Sequence, residues 1–573
     1  AALESMNVQE VTALCENLID RDLIRSTDAD RYTFRHILIQ EVAYSTLPRA
    51  ERARLHAQAA TWGESVAGER EVAVAEILAF HYRESAVLYT ALEPNTEQTR
   101  KIREQAAKWL QKAADVAAAA AATPEAVRHI RAAFDFVEPV RLPHLHELIG
   151  DITAGDSGLE EYRLALEGYE KLKCPVDDQL RALAGMLMVA MRWVGSVGDR
   201  PTEEWMAGVR TRGQRLLKKA QDKYVVGRFL AADSFFPFWI QADRDPTPEE
   251  MARSQASGER ALEIAVELGD VDLQSIAIDG IAGVAASRND WSGARDLAYR
   301  RIALEPRLNF YERLDAHSMV AWMSYLMGDL STGERDSAEM FARILPGQAP
   351  YPALGLYAWR AQILYCLGMW DDALVAFWRA VEAWHDAGSH AAGYALRGFW
   401  SGFDIGKARG DSRVTGAAID AIESIALRFP ADNRNRIMVQ YLQGNPAIGE
   451  DDGFLLARYP TDLAERRFNL ANDLRVAVPN AFLELGLARA QGAHVPLLEG
   501  QVRRARALAF KDAGEMTAAI EIWERVGAVP QLGRAKAERG LLGGDSSEID
   551  DGLAILKKLG DRDYVDRFKV SLA

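Results

Sequence analysis

The stretch that most constrains the fold runs from Ala353 to Trp384, ALGLYAWRAQILYCLGMWDDALVAFWRAVEAW. Two amphipathic runs meet at Gly368, with Ala361, Trp370, Ala373, Phe377 and Ala380 at fixed positions around it. This spacing has a steric reading as a helical hairpin. Ala361 and Ala373 fall where two antiparallel helices approach closely and admit only small side chains. Gly368 closes the first helix, because glycine takes the left-handed cap without strain. Trp370 and Phe377 are then placed to fill the gap to the next hairpin.

Taken together, these positions in a unit of ~34 residues resemble the tetratricopeptide repeat. Similar sets recur at Ala282, Asn289, Trp291, Ala294 and Ala298, and again at Ala507, Gly514, Met516, Ala519, Trp523 and Val526. A weaker unit surrounds Ala321 and Gly328, and 397–427 is looser still. The best starts lie near residues 275, 314 and 354, about 39–40 apart, which predicts long turns between hairpins. The expected fold is therefore all-α, a tetratricopeptide-like right-handed superhelix or α-solenoid. Such a solenoid grows without new cores, so the 573 residues need not split into several globular domains. Pro237 is expected to end or kink a helix, the second helix of 148–169 to be irregular, and a loop-rich break near 440–465 to separate two helical blocks. The expected divisions are 1–56, 57–445 and 446–573.

Residues 1–56 read differently. Val8–Ile19 forms a helix with Val11, Leu14, Cys15 and Leu18 on one face. A short strand pair follows at Leu23–Arg25 and Tyr32–Phe34, turned at Asp28-Ala-Asp, and residues 34–47 form a helix that Pro48 stops. This order suggests a small winged-helix-like unit. The segment RYTFRHILIQEVAYSTLPRAERARLHAQAA (Arg31–Ala60) resembles the junction between switch module and repeats in bacterial STAND-type ATPases attached to class III adenylate/guanylate cyclases. LuxR-type transcriptional activators are relatives of that family. The resemblance continues at Phe80-His-Tyr and Ala106–Ala117, and in His494–Phe510, Ala519–Leu542 and Gly552–Asp561. It implies that His36 contacts bound ADP when an ATPase domain is present. The residues alone read His36 as packing the helix onto the hairpin. The chain opens on Ala rather than Met, and a fragment of a longer protein is expected.

Composition narrows the function. The net charge is −15, from 68 basic and 83 acidic residues. That argues against general affinity for nucleic acid, which needs basic surface; the helix His36–Leu47 is too apolar to read bases. Cys15, Cys174 and Cys366 match no metal or disulfide spacing and are expected as buried, reduced thiols of a cytoplasmic protein. No run is apolar enough for a membrane span.

The sequence carries no recognisable catalytic motif. Gly402-Phe-Asp-Ile-Gly406-Lys407-Ala408 is one residue short of a P-loop and lacks its hydroxyl, so it reads as a repeat turn. His144 and His146 stand two apart and so point to different helix faces, unlike a zinc protease pair. Asp371-Asp372 and Asp451-Asp452 suit helix starts. No cofactor or metal is expected, and no enzyme activity of this chain. Counting inward-facing positions from the best repeats places Asp279, Asp315, Ser318, Trp322, Tyr325, Gln362 and Tyr365 along a concave groove; packing between helices is the alternative use of each aromatic. Aromatics with acids suit a peptide or a basic partner segment; a small-molecule effector is the other expected partner. The expected function is a regulatory interaction and sensor module; the resemblance implies that it forms the C-terminal half of a STAND-type ATPase and meets that protein's ATPase and its cyclase or DNA-binding effector domains. The alternatives are a free-standing scaffold and an enzyme with a site near 440–465.

Overall fold

The computed structural model describes residues 7–28, 31–68, 71–120, 122–153, 155–241, 244–429, 439, 442, 461–473 and 476–572. The expected break near 440–465, Asp451-Asp452 and the 445/446 boundary lie almost wholly outside these residues. The chain packs as two compact units, 1–152 and 153–573.

The first unit begins with the helix Val8–Asp20, the antiparallel strands Ile24–Asp28 and Arg31–Phe34, and the helix Ile37–Thr46. The last of these starts later than its apolar pattern suggests. Arg31–Phe34 is spent on the ladder, and His36 caps the helix, its Nδ1 accepting from the Leu38 N–H at 3.2 Å. His36 is exposed there rather than packed onto the hairpin. Ile37, Leu38 and Val42 also stay largely exposed. Tyr44 anchors the helix: its hydroxyl bonds His56 Nε2 at 3.0 Å, and His56 Nδ1 meets His81 Nδ1 at 2.9 Å. Burial first, and then their mutual repulsion, lowers the pKa of His56; burial lowers that of His81. The helix Arg49–Ala67 runs across the 56/57 boundary and packs with Glu71–Leu92 and Glu97–Ala119 around Trp109, Tyr82 and Leu78.

The second unit is a tetratricopeptide-like α-solenoid. Its regular part is four hairpins: Val271–Ser287 with Trp291–Ile302, Phe310–Leu326 with Leu330–Phe341, Pro350–Cys366 with Trp370–Asp386, and Leu396–Arg409 with Ser412–Ala426. The first helices of successive hairpins lie side by side and form an inner layer. The small positions do what their spacing requires: Ala361, Ala373 and Ala380 are fully buried. Phe377 fills the groove of the next hairpin, where a Cβ on Gly402 would lie 2.4 Å from its ring. The 39–40-residue period has its cause in linkers 303–309 and 342–349, which add a turn to each unit.

Four expectations are corrected. Gly402–Ala408 lies inside the helix Leu396–Arg409, so it is no turn. The second helix of 148–169 is regular, Gly155–Lys171. Only Cys366 is buried; Cys15 and Cys174 are half-exposed. Pro237 neither ends nor kinks a helix from within: the helix Lys223–Asp233 closes at Ser234, and Pro237 stands in the first turn of the short helix Phe236–Ile240.

The C-terminal helices Thr461–Asp473, Asn480–Gly492, Pro496–Phe510, Ala513–Val526, Val529–Gly543, Ser546–Leu559 and Arg562–Leu572 stack turn against turn on the hairpins. Trp291 Nε1 donates to the Ala493 carbonyl at 2.6 Å. Gly368, at φ +73°, would bring a Cβ to 3.0 Å from Leu559 and 3.1 Å from Val529. The glycine thus serves both the left-handed cap and a close approach. Gly368→Ala is expected to cost at least about 1–2 kcal/mol from the backbone alone, read as a lower urea midpoint at unchanged slope.

Candidate functional site

The site is assembled from the inner layer of the second unit. A π-helical turn, Met188–Arg192, follows the helix Val176–Leu187 and carries Arg192 to the hairpin helices. Widened turns of this kind redirect side chains that a regular helix would place elsewhere. Arg192 donates from Nε to Asp279 at 2.8 Å, from Nη1 to Glu312 at 2.7 Å, and from Nη2 to Asp315 at 2.8 Å. Arg301, fully buried, donates to Asp279 at 2.7 Å, to Glu312 at 3.1 Å and to Asp315 at 2.5 Å. Ser275 closes the cluster, accepting from Arg301 Nε at 2.9 Å and donating to Glu312 at 2.8 Å.

Burial alone would discharge these groups. It raises the pKa of Asp279, where the two guanidiniums only partly compensate. At Glu312 the balance reverses: Arg192 and Arg301 overcome burial and hold the carboxyl down to about 2. The acids likewise overcome burial at Arg192 and raise its pKa well above the ordinary value.

Above this cluster lies a cavity of about 220 Å³. Its walls are aromatic: Trp193, Trp322, Tyr351, Trp359, Tyr394 and Trp400. Trp322 and Trp359 stack with centroids 5.9 Å apart and planes 19° from parallel. Arg397 lies over the Trp359 ring at 3.6 Å, and Arg466 over Trp400 at 4.7 Å. Gly355 keeps the floor open; a Cβ there would meet only ordinary contacts, Ser318 Oγ at 3.7 Å and Tyr394 at 3.8 Å. A hydrogen-bonded chain crosses four helices. Ser401 donates to Gln362 at 2.8 Å, Gln362 to Tyr325 at 3.1 Å, and Tyr325 to Glu465 at 2.7 Å.

Of the residues singled out from sequence, Asp315, Ser318, Trp322, Tyr325 and Gln362 line this cavity. Asp279 does not; it is buried beneath, bound to both arginines. Tyr365 packs elsewhere, its ring parallel to Trp370 with centroids 6.0 Å apart. The reason is register. On Phe310–Leu326 the cavity stripe is 315, 318, 322 and 325; on Pro350–Cys366 it is 352, 355, 359 and 362. Tyr365 stands one turn beyond that stripe. Counting inward-facing positions from the repeat starts therefore passes over Trp359, although it lies three residues from Gln362 on one face. Tyr351 stands one turn before Gly355 on the same helix. Arg192, Tyr394 and Glu465 come from segments with no repeat spacing, and no sequence signal marks them. Among the described residues no group of three or more His, Cys, Asp or Glu is placed to hold a metal ion, and no helix is long and apolar enough to cross a membrane.

No family model matches the sequence. No curated protein matches it either. Among solved structures, the chain is similar to a signal transduction ATPase with numerous domains (STAND) protein with a tetratricopeptide repeat sensor from Pyrococcus horikoshii. That similarity has 11% identity and a TM-score of 0.37, covering 84% of this chain and 62% of the archaeal one. The chain thus spans less than two thirds of that protein's length. It is also similar to a Rap protein complexed with competence and sporulation factor, at 14% identity and TM-score 0.33, over 78% of this chain and 99% of the other. A third is the APC/C hetero-tetramer Cut9–Hcn1, at 13% identity and TM-score 0.38, over 93% and 98%. Similarity at this level bears on neither the cavity nor its ligand.

Two outcomes follow from the ion cluster. Arg301→Ala leaves three buried carboxylates with one partner and is expected to cost about 3–5 kcal/mol, read by urea unfolding of the full chain. The second concerns acid. Glu312 has a folded pKa below its ordinary 4.5, so its stabilisation is complete above 4.5 and is lost as pH falls from there to about 2. Asp279, with its pKa raised, works in the opposite direction. Glu312→Gln is therefore expected to flatten the acid limb of the stability–pH curve; an unchanged slope would assign acid unfolding to other groups.

Proposed function

We propose that this chain is an interaction and sensor module whose inner-layer cavity takes a peptide segment or a small-molecule effector. One observation carries the reading: a cavity walled by aromatics from three successive hairpins, braced by a buried ion cluster. Such a cavity joins apolar walls to a few fixed polar groups, the usual make-up of a ligand site. A ligand touching Phe310–Leu326, Pro350–Cys366 and Leu396–Arg409 together favours one spacing of these helices over another. That is the differential contact a two-state bias requires.

We further propose, from the resemblance at Arg31–Ala60, that the module belongs to a STAND-type signalling ATPase linked to a nucleotide cyclase or a transcription regulator. In that reading His36 faces the nucleotide of the ATPase domain. The exposed Ile37, Leu38 and Val42 beside it support a partner surface on this helix.

Gly355→Leu tests the cavity reading, because it fills the space without removing a wall. Native mass spectrometry of the chain recovered from its host is expected to show an adduct of a few hundred daltons that Gly355→Leu loses, with unchanged circular dichroism. An adduct kept by Gly355→Leu would place the ligand elsewhere.

A further inference from the structure

Resting on that reading of the cavity, we propose that its ligand is an organic cation with a small apolar body. The positive group sits at Asp315, the body lies against the Trp322–Trp359 wall, and an acceptor on the ligand meets Trp400.

The first support is charge. Three carboxylates, Asp279, Glu312 and Asp315, share two guanidiniums, Arg192 and Arg301, leaving one negative charge in excess when all are ionised. An uncompensated charge in a buried cluster is costly, and a cation brought by a ligand removes that cost. Of the three acids only Asp315 lines the cavity, and its side chain is the most accessible at 13%, against 6% for Asp279 and 7% for Glu312. Of the other lining charges, Arg466 has a counter-ion, while Glu465 and Arg397 are hydrogen-bonded to neutral groups and carry opposite signs, so they leave the excess unchanged. Arg466 is held by both oxygens of Asp404, Glu465 accepts from Tyr325, and Arg397 donates to the Tyr394 carbonyl.

The second support is independent of charge. Trp400 is 1% exposed and lines the same cavity, yet its Nε1 hydrogen meets no acceptor among the described residues. Arg466 Nε, beside it, is in the same position. Buried donors without acceptors are rare because each loses its hydration for nothing. On this proposal a carbonyl or hydroxyl oxygen of the ligand is the acceptor for Trp400 Nε1.

The third is size and wall chemistry. At about 220 Å³ the cavity is below the ~300 Å³ at which pockets for drug-sized ligands begin, so it suits one ring or one side chain. Indole and phenol faces attract cations through their ring quadrupoles. A free aromatic amine and the Lys or Arg side chain of a peptide share this chemistry.

Isothermal titration of the full chain separates the cases. The probes are phenethylamine, tyramine, a capped Phe-Arg dipeptide, neutral 3-phenylpropanol and anionic 3-phenylpropionate. The cations are expected to bind on the order of tenfold or more tighter than either isostere, about 1.4 kcal/mol. Asp315→Asn is expected to erase that preference and Gly355→Leu to abolish binding. The comparison of isosteres in the unaltered chain needs no substitution and holds even if Asp315→Asn folds poorly. Preference for the dipeptide over the amines marks a peptide as the source. An anion or alcohol that binds as well as the cations, lost in Gly355→Leu, keeps the cavity and overturns the cation. Cation binding that survives Gly355→Leu overturns both, and a cation series that fails to bind overturns the proposed class.

Discussion

The inner layer of the second unit depends on one buried cluster, in which Arg192 and Arg301 are shared among Asp279, Glu312 and Asp315. These residues come from the π turn Met188–Arg192, the helices Val271–Ser287 and Trp291–Ile302, and the helix Phe310–Leu326. Apolar packing between helices tolerates small slides, but a guanidinium clamped by carboxylates at 2.5–3.1 Å does not. Such clusters are weak evidence for stability, since their desolvation offsets most of the attraction. Their consequence here is geometric. With the cluster complete, Trp193 and Trp322 have fixed places, and the cavity has a definite shape.

The solenoid supplies the rest of that shape. Helices stacked turn on turn expose one face of each first helix to a common inner side, so side chains far apart in sequence meet without a dedicated active-site loop. The C-terminal helices stiffen this arrangement by packing on the hairpin turns at Trp291 and Gly368. Glu465 on Thr461–Asp473 then completes the chain that runs through Tyr325, Gln362 and Ser401.

Much of this was legible in the sequence, for reasons that differ by residue. Ala361, Gly368, Ala373 and Phe377 act through local sterics, and local sterics repeat at fixed spacing; the fold followed from them. Asp315, Ser318, Trp322 and Tyr325 were legible because one helix carries the whole stripe. Tyr365 misled because the stripe on the next helix stands closer to its N-terminus. Arg192 was not legible at all. It lies 120 residues from Glu312, on a π turn that no periodicity announces, and only folding brings them to 2.7 Å. The P-loop-like Gly402–Lys407 string illustrates the reverse: Gly402 is explained by the Phe377 ring and Gly406 by the close approach of Thr415, where an added Cβ would lie 2.8 Å from the backbone nitrogen, rather than by phosphate.

The central claim is that a ligand in this cavity is felt by the hairpins that wall it. Hydrogen–deuterium exchange of the full chain, with and without saturating phenethylamine, tests it most directly. The account predicts slowed exchange in Met188–Arg192, Phe310–Leu326, Pro350–Cys366 and Leu396–Arg409, with Glu97–Ala119 unchanged. Slowing confined to helices that do not border the cavity, or none in these four segments, would contradict it.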